Sequence, residues 1–313
     1  MKQATGAGFI ITALTLAFAL TTASCSGSPP TGSTAPSGRT ADHTVIHELM
    51  NGHITEAEIQ RAKETLHIAY GHTSHGSQIT TGMTGLVTFA NNGGLGFPYS
   101  NDLFAWSHDG NGDTLHLFEG DGYGDGALDH DAGYYPNWVD ETRIFLEDSA
   151  NAEFNVIMWS WCGQVSGLSE EQMISNYLEP MAELKRDYPT IVFVYMTGHL
   201  DGTGETGNLH QRNEQIRDHC AATNAWLFDF AEIESYDPDG TYYLDRMAND
   251  ACDYDSNGDG TRDANWATAW QNTHDEGAEW YSCSSAHSQP LNANMKAYAA
   301  WWLFTQIAAQ LDI

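Results

Sequence analysis

The sequence predicts a three-layer α/β/α sandwich built on a mainly parallel sheet and interrupted by long polar insertions. Two observations carry that expectation. Four short runs are apolar on both faces: LHIAY at 66–70, FNVIMWSW at 154–161, TIVFVYM at 190–196 and AWLFDF at 225–230. Strands of this kind belong to parallel sheets covered by helices on each side. Helical patterns separate the runs, so the chain reads α-β-α…α-β-α-β-α-β…α, the alternation expected of an α/β domain.

The first stretch lies outside this domain. Lys2, an apolar core at 9–20 and the small-residue site Thr22-Ala23-Ser24-Cys25 read as a secretory signal over residues 1–25. The site is similar to a bacterial lipoprotein box, with Cys25 as the lipid-carrying residue; Thr22 stands where an aliphatic residue is usual, so cleavage with release stays open. Residues 26–46, rich in Ser, Pro, Gly and Thr, read as a flexible linker. Residues 47–313 fit one domain.

Within it, Thr55-Glu56-Ala57-Glu58 is a capping box that starts a helix running to about 65. The strand at 66–70 follows, then a turn, then an amphipathic helix from 78 to about 91 ended by Asn-Asn-Gly-Gly. Residues 94–133 interleave glycines with acids, among them Asp109, Asp113, Glu119, Asp121, Asp125, Asp129 and Asp131, and show no period. A loop of this length inside a compact domain is often functional, here as a rim over a site, with metal ordering open. It forms most of a first insertion, about 94–135. A helix is expected over 136–148, with Pro136 in its first turn. A second capping box, Ser169-Glu170-Glu171-Gln172, opens a helix to about 187. Helices are also expected over 207–224 and 291–311, the last after a second insertion at about 232–286.

Charge excludes some partners. Asp+Glu number 42 against 12 Lys+Arg, a formal charge of −30, so the surface repels nucleic acid and anionic membrane faces. Contact with a membrane is expected only through a lipid on Cys25. The protein is expected to be exported, as a cell-surface or outer-membrane lipoprotein or as a secreted protein. Apart from Cys25, four cysteines remain, Cys162, Cys220, Cys252 and Cys283. Export permits disulfides and four cysteines permit three pairings; Cys252 with Cys283 is preferred because it closes the polar segment between them.

The chemistry is expected at Gly71-His72-Thr73-Ser74-His75-Gly76. A strand, a sharp turn carrying a serine and a new helix lift a hydroxyl over a sheet edge. The free N–H groups of the helix point at the same turn. Ligands of parallel sheets bind beyond the carboxyl ends of the strands. Ser74, Cys162-Gly163-Gln164 and Gly198-His199 all follow strands at such ends. A serine needs a base near neutral pH, and histidine suits the task. His287, in SSAHSQP directly before the last helix, is the candidate.

In this order of elements the chain resembles the SGNH (GDSL-type) hydrolases, whose serine follows the first strand and whose base histidine precedes the last helix. AHSQPLNANMKAYAAWWLF is similar to that closing block. The resemblance implies a flavodoxin-like, SGNH-like sheet and serine esterase chemistry. It casts Ser74 as nucleophile and His287 as base. Gly163 or Gln164 would help hold the oxyanion. The family's Gly-Asp-Ser is here Gly71-His72-Thr73-Ser74, its Gly-x-Asn-Asp is Trp161-Cys162-Gly163-Gln164, and its aspartate three residues before the histidine is Ser284. The substrate implied is a small ester or an acylated carbohydrate, with no organic cofactor.

Two other functions fit the residues. One is a metal-dependent hydrolase using His72, His75 and His199, with Asp201 completing the set. The other is a non-catalytic surface lipoprotein that binds carbohydrate on some of its ten tryptophans and fourteen tyrosines. Separately, the stretch from Asp253 to Asp263 matches the start of an EF-hand-type loop, with Asp253, Asp255, Asn257, Asp259 and Asp263 as oxygen ligands and Gly258 at the sharp turn. A structural calcium ion is expected there.

Overall fold

The computed structural model describes Met1 and residues 38–97, 99, 101–120 and 126–311. The signal segment with Cys25, most of the linker, and Asp121 and Asp125 lie outside the described residues. Ala35–Ile313 forms one compact unit.

Its centre is a seven-stranded sheet, parallel throughout. The strands are β1 (Thr40–Ala41), β2 (His67–Gly71), β3 (Trp106–Ser107), β4 (Leu115–Glu119), β5 (Val156–Trp159), β6 (Val192–Met196) and β7 (Trp226–Phe228), in the spatial order β1-β7-β6-β5-β2-β4-β3. From β2 the chain first moves outward to β3 and β4, then returns to β5 on the other side. The reversal makes the β2/β5 boundary the switch point, where open α/β sheets bind ligands.

The helices are α1 (Ile46–Met50), α2 (Glu56–Thr65), α3 (Ser77–Asn91), α4 (Asn137–Glu147), α5 (Glu170–Met173), α6 (Glu179–Asp187), α7 (Asn208–Thr223), α8 (Phe230–Glu234), α9 (Trp266–Gln271) and α10 (Pro290–Leu311). Helix α10 packs on α1, α2, α3, α8 and α9, whereas α4 packs on α6 and α5 on α7. Helix α10 is apolar nearly all round, and Met295, Tyr298, Trp301, Leu303 and Phe304 are buried. Its approach to α3 relies on Gly82, where a Cβ would stand 2.1 Å from the Ala293 carbonyl oxygen.

The first capping box forms as expected: the Thr55 side chain accepts from Glu58 N–H, and Glu58 accepts from Thr55 N–H at 2.7 Å. The expected helix over 169–187 contains a wider π turn, Ile174–Leu178, between α5 and α6. Pro180 offers no N–H to the turn before it, and the Asn176 carbonyl accepts from Trp138 Nε1–H instead, at 3.2 Å.

Three expectations need correction. The linker does not extend to residue 46. Thr40–Ala41 pairs with β7, and Leu227 N–H donates to the Arg39 carbonyl at 2.9 Å. An open sheet edge attracts such a strand through backbone groups alone, and RTADH carries no side-chain period to reveal it. The acidic loop contains β3 and β4, and β4 lies beside β2. The cysteines Cys162, Cys220, Cys252 and Cys283 are all free. Cys252 Sγ lies 3.4 Å from Ser288 Oγ, and Cys283 Sγ lies 3.5 Å from Asn294 Nδ2.

Candidate active site

Ser74 leaves β2 through a backbone that only a specific sequence tolerates. A Cβ at Gly71 would meet the Trp159 ring at 2.3 Å, and one at Gly76 would meet Ser160 Oγ at 2.3 Å. Ser74 itself has φ 38° and His287 has φ 63°. Non-glycine residues in this region cost on the order of 1–3 kcal/mol and persist where the surroundings enforce them. The turn is enforced from three sides. Tyr70 Oη–H donates to the Gly76 carbonyl at 3.0 Å, Thr73 Oγ1–H to Asp131 at 2.8 Å, and Ser77 Oγ–H to the Ser74 carbonyl at 2.7 Å.

The structure brings Ser74 and His287 together, with Ser74 Oγ 2.7 Å from His287 Nε2 and both residues exposed. The loop carrying His287 is anchored from beneath. Gln78 Nε2–H donates to the Ala286 carbonyl at 2.5 Å. The Gln78 Oε1 accepts from Lys296 Nζ, which also pairs with Glu234 Oε1 at 2.5 Å, both side chains being wholly buried. Asn292 Nδ2 bridges Glu234 and Ser288, and Leu200 N–H donates to the other Glu234 oxygen at 2.9 Å. Burial pushes the Lys296 ammonium below its ordinary range, against the pull of Glu234.

Among the described residues no carboxylate is hydrogen-bonded to His287 Nδ1. The ring instead stacks on His75 at 4.3 Å, and His75 stacks on His199 at 3.6 Å. His75 Nε2 is 2.9 Å from Asp250 Oδ2. Burial holds the His75 imidazole below the usual histidine range, although the Asp250 hydrogen bond opposes it. Burial works against the Asp250 charge, but the His75 hydrogen bond and the nearby imidazoles leave its carboxyl below the usual range.

Gly163 and Gln164 follow β5 as expected. A Cβ on Gly163 would stand 3.9 Å from His199 Nε2. Gln164 Oε1 accepts from Cys162 N–H at 3.1 Å, and the side chain lies against Gly133, whose Cβ would fall 2.2 Å from Gln164 Cδ. Gln164 therefore fastens the end of the acidic loop to the β5 loop, leaving its Nε2 as the group able to donate to an oxyanion.

The expected metal set of His72, His75, His199 and Asp201 does not converge. His72 Nε2 is 3.0 Å from Glu119 Oε1, because β4 sets Glu119 opposite Tyr70. Asp201 Oδ1 accepts from Thr203 N–H and Oγ1–H, closing a local turn. Asp250, Asp131, Glu119 and the Lys296–Glu234 pair were not singled out from the sequence. Asp131 and Glu119 sit among several equivalent acids, while Lys296 is a lone cation in an apolar helix, a signal that could have been used.

The Asp-rich loop is folded around Asp255, not Asp253. Asp255 accepts from the N–H groups of Asn257, Gly258, Asp259 and Gly260. A calcium-type loop counted from Asp255 would put Asp255, Asn257 and Asp259 at positions one, three and five, Gly260 at six and Asp263 at nine, two residues later than the spacing alone suggests. Asp253 is drawn away by Asn265 Nδ2, 2.8 Å from its Oδ1, across the two-stranded ladder of β8 (Asp253–Tyr254) and β9 (Ala264–Asn265).

Eight of the ten tryptophans, at 138, 159, 161, 226, 266, 270, 301 and 302, are buried. They build the core and are not platforms for sugar rings. A groove of about 570 Å³ runs along α3, lined by Thr81, Thr84, Phe89, Tyr281 and Ser284 among others, but neither Ser74 nor His287 lines it. Compared with protein families, curated proteins and solved structures, the chain shows no match.

Proposed function

We propose that the protein is a serine esterase in which Ser74 and His287 act as a dyad. The observation that carries this reading is the 2.7 Å contact between Ser74 Oγ and His287 Nε2 at the switch point of the sheet. Ser74 Oγ attacks an ester carbonyl while its proton passes to His287 Nε2, which returns it to the leaving alcohol; water, deprotonated by the same nitrogen, then cleaves the acyl-Ser74 bond and the proton returns to Ser74 Oγ as the acid leaves. Packing on His75 and the Gln78–Ala286 hydrogen bond hold the imidazole, which has no carboxylate partner among the described residues. The N–H groups of Ser74 and Gly163 and the Gln164 amide are the candidate oxyanion donors; each such donor contributes roughly 3–4 kcal/mol. An exposed hydroxyl suits an ester carried on a larger molecule, such as an acylated carbohydrate. The divergent SGNH-type order of elements agrees with this chemistry, and an exported, lipid-anchored protein would meet such substrates at the cell surface.

A fluorophosphonate probe tests the reading. Labelling mapped to Ser74, lost in Ser74→Ala, supports it. Active protein that resists the probe refutes it. A structural calcium in the loop of Asp255, Asn257, Asp259 and Asp263 is a separate part of the proposal. It is supported by the spacing of the oxygens and the glycine at the sixth position.

A further inference from the structure

We infer that His75, His199 and Asp250 form a binding site for one divalent transition-metal ion of the zinc class. One ligand atom from each of His75, His199 and Asp250 lies within 4.8 Å of the other two, and His75 Nε2 is 2.9 Å from Asp250 Oδ2. Two ligands on one tetrahedral ion, each about 2.0 Å from it, stand roughly 3.3 Å apart. The His75 and His199 rings stack at 3.6 Å with an interplanar angle of 8°, so closing the set requires the His75 ring to turn out of the stack until both lone pairs meet on one ion.

The second observation is His199 Nε2 itself. It is buried and has no hydrogen-bond partner. The other ring nitrogen, Nδ1, donates to the Leu200 carbonyl at 2.9 Å. A neutral imidazole with its proton on Nδ1 presents a bare lone pair at Nε2, the tautomer that metal-ligating histidines take when a carbonyl holds the far nitrogen. A buried acceptor without a donor is costly, and a metal ion would satisfy it.

The frame around this nitrogen is rigid. Gly198 is gripped on both sides by the Asn213 amide, which accepts from its N–H at 2.9 Å and donates to its carbonyl at 3.0 Å. Leu200 N–H is held by Glu234, and the Leu200 carbonyl also accepts from Asp250 N–H at 3.0 Å. One carbonyl thus ties the histidine and the aspartate together. Besides turning, His75 needs a tautomer exchange: the proton now shared with Asp250 moves to Nδ1, which faces Cys162 Sγ at 3.6 Å. No net proton is lost. Two imidazoles and one carboxylate select zinc-like ions over calcium or magnesium, and three protein ligands leave a position open.

The test is direct titration of chelator-stripped, full-length protein with Zn²⁺ by calorimetry and with Co²⁺ by visible absorption. One equivalent is expected to bind. His199→Ala and Asp250→Asn are each expected to weaken binding about tenfold or more. Asp250→Asn keeps an oxygen for His75, so it separates lost ligation from lost fold, and circular dichroism checks both variants. Two other groupings, His67/His116/Glu153 and Asp129/His130/Glu141, also gather possible ligands. His116→Ala and His130→Ala are expected to leave the equivalent in place. No saturable binding, binding that survives His199→Ala in a folded protein, or binding that disappears with His116 or His130 overturns the inference. Probe labelling of Ser74 is read separately, so either result stands without the other.

Discussion

Replacing Lys296 by methionine tests the link between the core and the site. Lys296 and Glu234 are each wholly buried, with Nζ 2.5 Å from Oε1. Removing the cation leaves a buried carboxylate that, among the described residues, keeps Leu200 N–H and Asn292 Nδ2 as donors. Breaking one side of such a pair costs about 3–5 kcal/mol. Methionine keeps most of the packing on Phe230, over whose ring Nζ now sits at 3.6 Å. Glu234→Gln keeps one acceptor oxygen, sets its NH2 against a neighbouring donor and strands the ammonium. The double variant removes both charges, so its cost should fall to roughly 2 kcal/mol rather than the sum of the two. Urea melts of the four proteins give these numbers directly. Lys296→Met alone should lower Tm by roughly 10 °C, taking about 2–4 °C per kcal/mol for a domain of this size. Because Lys296 also fixes Gln78, and Gln78 fixes Ala286, the same variant should slow ester hydrolysis even below its melting range. Additive costs, or a Lys296→Met penalty under about 1 kcal/mol, would refute the reasoning.

Ser74→Ala and His287→Ala should each lower esterase kcat by about 10⁴-fold, and the double variant should be no slower than either, since the two act as one unit; steady-state kinetics on a chromogenic ester decides this. Gly82→Ala should destabilise by about 1–3 kcal/mol, because its methyl group must push α3 away from the Ala293 carbonyl; denaturant unfolding checks it. The four cysteines should all alkylate in unfolded protein without reductant, as mapped by mass spectrometry. In the folded protein burial raises the Cys220 and Cys252 thiols to about 12 and Cys283 to about 11. The unfolded thiols ionise first, near 8.5, so this contribution to stability is complete below that pH and declines as pH rises towards 11–12, which alkaline melts should show. Calcium at about 100 times its dissociation constant should stabilise the protein by about 2.7 kcal/mol. Asp255→Ala should abolish the gain and Asp253→Ala should not, as thermal melts with calcium and with EGTA would reveal.

Much of the architecture was legible because its signals are local. Runs such as TIVFVYM are apolar on both faces, and a strand with that composition has to lie inside a covered parallel sheet. The two capping boxes and the breaker at Asn91-Asn92-Gly93-Gly94 mark helix ends through bonds spanning only a few residues. Ser74 and His287 were legible for a related reason: each lies just outside a strongly patterned element, and parallel topology brings such ends to one rim.

What the chain could not disclose alone was long-range pairing among equivalent residues. Strand β4 has five residues inside an acidic, glycine-rich stretch, and only its place beside β2 makes it a strand. Asp250, 175 residues from His75, becomes its partner because the Leu200 carbonyl draws that loop across the end of β6. With 42 acids and 14 histidines, composition allows many such sets. Local sequence settles which backbone forms, since propensity, capping and periodicity act over a few residues; the choice of which carboxylate meets which imidazole belongs to the packed sheet, where burial makes every unpaired polar group costly.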